Sequence, residues 1–404
     1  MKPSTGLYPA PVREALKGRT ILQIIPSLDA GGAERTTIDV AHGLEQAGAR
    51  AIVASEGGRL VGELQAKGGE WARFPAATKN PLRLAANIRG LKRLCRDEDV
   101  ALIHARSRAP AWSAHPAARS LGIPFVTTYH GIYAGRIAPK LLYNSIMARG
   151  DAVIANSRYT AELISRLYPF ARPRIEVIHR GTDLAVFTPV AVTPERVQRL
   201  RADWGVAPGR RIVLIAARLT GWKGQKFFIE AARRLLTEGL DDVAFVMAGD
   251  PQGRDGYARD LDQQIAAQGL SGAVLRVGHC ADMPAAFLAA SVVAVASTEP
   301  EAFGRSAVEA QAMGTPVVVT DLGAVPETVL APPEAPEAER TGWRVPPGDA
   351  PALAGGIAAA LSLRASQRAA MQARARAHVE AHFSLDGMVD ATLGVYERLL
   401  QHES

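Results

Sequence analysis

The chain of 404 residues is long enough for two domains of ordinary size. Its 48% apolar and 22% charged residues fit a globular protein, and no apolar run approaches the roughly 20 residues that span a bilayer. Two cysteines, Cys95 and Cys280, lie far apart without metal-ligand spacing and read as reduced thiols of a cytoplasmic protein, and Met1-Lys-Pro-Ser-Thr lacks the apolar core of a signal peptide. Net charge is +7 but uneven: residues 1–190 hold 26 Lys and Arg against 15 Asp and Glu, a balance of +11, and residues 191–404 hold 21 against 25, a balance of −4. A basic first half fits an anionic membrane surface, an anionic acceptor, or merely arginine-rich solvated faces. No aromatic-interleaved basic stretch or nucleic-acid motif accompanies it, so nucleic acid is not an expected partner.

Along the chain, strand and helix patterns alternate, which predicts parallel sheets covered by helices on both faces. Thr20–Ile25 is a buried strand, the loop 26–32 follows it, and Ala33–Gln46 is an amphipathic helix. Further strands are expected at Ala51–Ala54, Val100–His104, Phe125–Tyr129, Ala152–Ala155 and Ile175–Ile178, with a helix over Leu82–Cys95 that presents Arg83, Arg89, Lys92, Arg93 and Arg96 on or near its polar side. Gly181–Pro189 reads as a hinge. The pattern then restarts: strand Arg211–Ala217, helix Gln225–Thr237, strand Val243–Ala248, helix Tyr257–Gln268, and strands at Val274–Val277, Val292–Ala296 and Pro316–Thr320. The Pro/Glu-rich run Ala331–Arg340 is an exposed loop. Beyond Pro351 the chain is helical, with a break near His382–Leu385.

In open parallel sheets ligands bind beyond the carboxyl ends of the strands, so residues just after strands carry the functional reading. Arg218 follows a strand directly and Lys223 comes five residues later, before Gly224: one rigid fork and one mobile ammonium make a diphosphate clamp. Glu301-Ala-Phe-Gly-Arg-Ser-Ala-Val-Glu309 sets two carboxylates eight residues apart, around a helix expected from about Gly304 to Met313, which Gly314 and Pro316 stop. The start of that helix, at Gly304, Arg305 and Ser306, offers unpartnered backbone N–H groups to phosphate. Gly31-Gly32 before the first long helix lets backbone approach a ligand closely. It lacks the G-x-G-x-x-G pattern of a dinucleotide cofactor site. His130 ends a strand and precedes Gly131; His104 and Arg106 follow another strand end and are weaker candidates for facing an acceptor.

Glu301 and Glu309 resemble the E-x7-E motif of retaining glycosyltransferases of the GT-B fold, family 4 (glycosyl transferases group 1). Ala217-Arg-Leu-Thr-Gly-Trp-Lys-Gly224 is similar to that family's Arg…Lys-Gly element, Gly31-Gly32 to its N-terminal glycine loop, His130-Gly131 to its His-Gly, Asn156-Ser157 to its Asn-Ser element with Arg158 nearby, and Ala248-Gly249-Asp250 to a Gly-rich turn. The resemblance runs from about Thr20 to Ser384. It implies two Rossmann-like domains with facing parallel sheets and an interdomain cleft: residues 1–188 on the acceptor side, with a C-terminal helix at 384–404 packing back on them, and residues 189–383 binding the nucleotide sugar, with the base near Val277–Asp282.

It also implies roles. Arg218 and Lys223 hold the donor diphosphate and stabilise the leaving group. Glu301 and the backbone of Phe303 and Gly304 hold sugar hydroxyls. Glu309 holds the ribose, and His130 lies near the transferred sugar. The donor is a UDP-, GDP- or ADP-sugar. The acceptor is a glycan or lipid-linked saccharide of the bacterial envelope, such as lipopolysaccharide, and the enzyme is cytoplasmic or peripheral on the inner face of the membrane. With no Asp-x-Asp and no His/Cys cluster, neither metal nor cofactor is expected. Two alternatives stand beside this reading: a nucleotide-sugar epimerase of similar architecture, and a non-catalytic sugar-nucleotide or glycan-binding protein.

Overall fold

The computed structural model describes residues 13–29, 31–133 and 137–401. The opening Met1-Lys-Pro-Ser-Thr and residues 402–404 of the expected last helix lie outside the described residues. The chain divides into two compact units: residues up to Gly181 together with the segment from Leu385 form the first, and Thr182–Ser384 form the second.

In the first unit the strands are β1 (Thr20–Ile24), β2 (Arg50–Ser55), β3 (Glu70–Arg73), β4 (Val100–Ala105), β5 (Phe125–Tyr129), β6 (Ala152–Ala155) and β7 (Ile175–Val177). They lie in the order β3-β2-β1-β4-β5-β6-β7, and the registered pairs are all parallel. The helices α1 (Gly32–Gln46), α2 (Val61–Ala66), α3 (Pro81–Asp97), α4 (Arg108–Leu121), α5 (Ala138–Ser145) and α6 (Arg158–Leu167) connect them. Alternation along β1 divides the core between the two faces of the sheet: Leu22 and Ile24 enter one apolar cluster, Ile21 and Ile25 the other.

The second unit repeats the plan with β8 (Arg211–Ala216), β9 (Val243–Ala248), β10 (Val274–Gly278), β11 (Val292–Val295), β12 (Val317–Thr320) and β13 (Trp343–Val345) in the order β10-β9-β8-β11-β12-β13. Its helices are α7 (Pro194–Asp203), α8 (Gln225–Thr237), α9 (Asp255–Ala267), α10 (Met283–Ala289), α11 (Arg305–Ala312), α12 (Val325–Thr328), α13 (Ala350–Leu361) and α14 (Ala365–His382). The last helix, α15 (Leu385–Gln401), belongs to the first unit. There it lies so close to α1 that a Cβ on Gly43 would stand 2.2 Å from Val389.

The units divide after Gly181, seven residues before the expected 188. Thr182 donates its amide to the Phe383 carbonyl at 2.8 Å, and Phe187 packs on Phe287, so this connector is bound into the second unit. The Pro/Glu-rich run is an exposed loop anchored by buried Ala331 and Ala335. Helix α4 has no counterpart in the sequence reading, because Pro110 and Pro116 break its pattern. It nonetheless ends on Gly122, whose φ of 71° is the usual helix stop.

The first unit encloses one imidazole, His104, and half-buries another, His130. His104 is fully enclosed and bonded through Nδ1 to the Tyr396 hydroxyl and through Nε2 to Thr128 Oγ1 at 2.7 Å. Burial first, then Arg106, holds both His104 and His130 well below the ordinary 6.5. The unfolded chain therefore takes up protons below about pH 6.5 that the folded chain refuses. Stability falls with acidification at up to about 1.4 kcal/mol per pH unit for each such histidine. Thermal scans between pH 7.5 and 5 are expected to show a falling midpoint already above the carboxylate range, and a midpoint flat over that window would refute it.

Candidate active site

Each sheet has a switch point where its strand order reverses, between β1 and β4 in the first unit and between β8 and β11 in the second. Crevices for ligands open there, outside the carboxyl ends of the strands.

In the second unit three loops and the start of one helix converge on that point. The loop after β8 carries Arg218, an exposed side chain with no hydrogen bond or ion pair among the described residues. Its carbonyl accepts from buried Gln225 Nε2 at 2.9 Å. A short turn, Gly221–Lys223, then presents Lys223. The ammonium of Lys223 lies 2.7 Å from Glu301 Oε1 and 4.3 Å from the centre of the Trp222 ring. Gly224 closes the turn at a φ of 76°, where a Cβ would meet the Ala296 carbonyl oxygen at 1.8 Å.

Glu301 lies in the loop after β11. Its Oε1 also accepts from the Ser297 hydroxyl, and its backbone is tied to the loop after β12 through Gly323 and the Ala324 amide at 2.9 Å. The two side chains of the ion pair are only 15% and 12% exposed. An acid and a base shielded to that degree are held in register rather than left to water. Helix α11 starts immediately beyond. Gly304 caps it in the left-handed region at a φ of 88° with no side-chain cap, and Ala307 donates to the Gly304 carbonyl at 3.1 Å. The amides of Arg305 and Ser306 make no backbone bond among the described residues, as the start of a helix leaves them. Ser306 Oγ donates to the Ala216 carbonyl at 2.9 Å, which ties this helix start to the end of β8. One turn on, buried Glu309 accepts from Arg305 Nε at 3.1 Å and from its terminal nitrogen at 2.6 Å.

Two predicted positions have structural surroundings. Phe303 turns its ring away into an apolar cluster, edge-on to Phe383 at 5.5 Å, so only its backbone is free for a ligand. Gly249 is wedged against the Ala217 carbonyl, where a Cβ would stand at 1.9 Å, and its amide donates to Gly278 at 2.7 Å. The absence of a side chain there lets two loops pack, and its N–H is already taken. The helix expected from Gly304 to Met313 is Arg305–Ala312, with Gly304 as its cap. Sequence reasoning missed Ser297, a lone serine whose only signal is that it follows a strand.

In the first unit, Gly31 and Gly32 begin α1 after β1; Ala30 lies outside the described residues. A Cβ on Gly32 would overlap the end of Arg180, 1.8 Å from its terminal nitrogen. Arg106 after β4, His130 after β5, Asn156 after β6 and Arg180 after β7 line one small cavity. Arg180 was not among the expected site residues. Among the described residues no group of three or more His, Cys, Asp or Glu has the geometry of a metal site.

Two tandem Rossmann-like units, each with a polar cluster at its switch point, place this chain in the GT-B class of α/β proteins. Residues 30–186 match the sequence profile Glycosyltransferase Family 4, and residues 197–378 match Glycosyl transferases group 1. A glycosyltransferase structure from Rickettsia africae is 33% identical and superposes with a TM-score of 0.86, covering 95% of this chain and 99% of that one. The chain belongs to the glycosyl transferases group 1 family. Anabaena HepE in complex with UDP-glucose is 27% identical with a TM-score of 0.77, over 93% of this chain and 99% of that one. Among curated proteins, D-inositol 3-phosphate glycosyltransferase 1 of Catenulispora acidiphila is 31% identical over 261 residues, 60% of this chain and 60% of the relative. The Mycolicibacterium gilvum D-inositol 3-phosphate glycosyltransferase is 35% identical over 189 residues, 46% of this chain and 40% of the relative. The chain thus matches about half the length of these curated relatives.

Proposed function

We propose that this chain moves a hexose-type sugar from a nucleotide-diphosphate sugar to a glycan or lipid-linked saccharide, with retention at the anomeric carbon and without a metal ion. The observation that carries this reading is the shielded Lys223–Glu301 pair beside the open start of α11, with Arg218 exposed one loop away. Breaking the glycosidic bond leaves negative charge on the diphosphate and positive charge on the sugar ring. Arg218, Lys223 and the amides of Arg305 and Ser306 are the groups to meet the first. Glu301 holds sugar hydroxyls and Glu309 the ribose. Neutral His130 is a hydrogen-bonding group toward the transferred sugar. The departing phosphate takes the acceptor's proton as the acceptor attacks from the same face, so Glu301 positions rather than attacks. The Anabaena HepE complex makes UDP-glucose the first donor to try.

The test is a panel of UDP-, GDP- and ADP-sugars read by nucleotide release with and without EDTA, with the anomer of any product assigned by NMR. Arg218→Ala and Glu309→Gln are each expected to lower turnover about a hundredfold or more. Wild-type rates in both would remove the second-unit site from consideration. An inverted anomer would refute retention, and EDTA-sensitive turnover would refute metal independence.

The place of action is proposed to be the inner face of the cytoplasmic membrane, in envelope polysaccharide synthesis. No helix among the described residues is long and apolar enough to cross a bilayer. On the first unit, Arg83, Arg89, Arg93 and Arg96 are exposed along α3 beside Leu82, which is 82% exposed. Ile137 and Leu142 are also exposed around α5, near Lys140. Apolar side chains among cations are the composition that adsorbs to anionic lipid. Flotation with phosphatidylglycerol liposomes is expected to capture the protein at low salt and release it at high salt. No capture at either would count against the membrane site.

A further inference from the structure

The acid of the shielded ion pair in the second unit is bound asymmetrically. Both of its side-chain partners go to one oxygen: Lys223 Nζ lies 2.7 Å from Glu301 Oε1, and the Ser297 hydroxyl donates to the same atom. An ionised carboxylate has about four lone-pair sites spread over its two oxygens. Glu301 Oε2 makes no hydrogen bond among the described residues, and it is not sealed from water. The last torsion of a glutamate side chain is broad and roughly two-fold, so it does not by itself choose between the oxygens. A lysine ammonium at the end of a flexible stem can serve either one. The choice falls to Ser297, which cannot follow a turning carboxylate. Ser297 is 1% exposed, and its backbone is tied on two sides. Its carbonyl accepts from Thr320 Oγ1 at 2.7 Å, and the next amide, of Thr298, donates to the Trp222 carbonyl at 2.7 Å. Thr320 is itself buried at the end of β12. The serine hydroxyl is thus a fixed donor, mounted between that strand end and the turn that carries Lys223.

We propose that Ser297 is a positioning residue for the donor sugar: it commits Glu301 Oε1 to the protein, so that Oε2 is the atom that accepts from a sugar hydroxyl. This role rests on the proposed transferase function, in which Glu301 holds those hydroxyls. Without the serine hydroxyl the carboxylate is free to turn and offer both oxygens to the ammonium of Lys223. The sugar then loses its acceptor, while Arg218, Lys223 and the start of α11 stay in place toward the diphosphate. Losing a hydrogen bond to a charged group weakens an equilibrium about ten- to a hundredfold.

Calorimetry on the full chain would compare UDP with UDP-glucose, GDP with GDP-glucose and ADP with ADP-glucose, in wild type, Ser297→Ala and Ser297→Cys. Within each pair the two ligands share the diphosphate, and only one carries the sugar. For the pair that wild type binds, the glucose ester is expected to bind at least tenfold more weakly to both variants. The free diphosphate is expected to stay within threefold of wild type. Cysteine fills the serine site but donates weakly. Wild-type ester affinity in Ser297→Cys would therefore show that shape rather than the hydrogen bond matters, and would overturn the proposal. The same variant carries the comparison if Ser297→Ala fails to fold by circular dichroism. Wild-type ester affinity in Ser297→Ala, or ester and diphosphate weakened by equal factors, would overturn it too. Either result beside sugar transfer by the wild-type chain would sink this role alone. No binding of any ester and no turnover of any donor in the panel would sink the proposed function, and the role of Ser297 with it.

Discussion

Lys223→Ala will lower the proposed sugar transfer by about a thousandfold, the upper range for removing one fixed donor from developing negative charge. The same substitution strands Glu301, whose side chain is only 12% exposed and would keep Ser297 as its remaining side-chain partner. Removing one member of a shielded ion pair leaves an uncompensated charge and costs about 3–5 kcal/mol, less whatever protonation or entering water relieves. Stability and catalysis respond differently to repair. Adding Glu301→Gln to Lys223→Ala removes the stranded charge, so the double variant should regain stability over Lys223→Ala in urea unfolding. It should regain no turnover, because the cation proposed to face the leaving phosphate is still missing. If the double variant recovers activity along with stability, Lys223 is a structural counter-ion and its proposed part in bond breaking is wrong.

Gly224→Ala will nearly abolish activity and destabilise the second unit by roughly 3 kcal/mol. About 1–2 kcal/mol of this comes from the left-handed conformation and the rest from forced backbone movement. The obstacle is the Ala296 carbonyl at 1.8 Å, a backbone atom that cannot swing aside as a side chain tip can. The displaced partners are the turn that carries Lys223 and the strand end that leads into Ser297 and Glu301, so both halves of the ion pair move. Gly221, three residues earlier, is the internal control: a Cβ there meets nothing within 4 Å. Gly221→Ala should stay within about 0.5 kcal/mol of wild type. Equal urea midpoints for the two variants would show that the contact at Gly224 is easily relieved.

The strands with long apolar runs were legible, and Phe125–Tyr129, Ala152–Ala155 and Val243–Ala248 have the expected bounds. Such strands are buried on both faces, so composition alone marks them. Two of the four edge strands were not legible, although Ile175–Val177 and Val274–Gly278 were: Glu70–Arg73 is partly or fully exposed along its length, and Trp343–Val345 has three residues. In the second unit the acid and base positions could be read because they are tied to strand ends and a helix start. Their partners could not, because the contact between Ser297 and Glu301 depends on side-chain direction within a loop. Arg180 was missed for a related reason. It is separated by 148 residues from the glycine it covers, and only the fold brings them together.

The assignment of α15 to the first unit bears on the order in which the protein is made. Residues 182–384 are contiguous, so the second unit can fold as soon as they have left the ribosome, while the first unit waits for the last seventeen described residues of the chain. Until then the Tyr396 hydroxyl is missing from His104, and the apolar face of α1 around Gly43 and Leu44 has no cover from Val389 and Leu393. The half-made chain thus carries a finished domain beside an open one, and the open face is the surface on which a chaperone would act during synthesis.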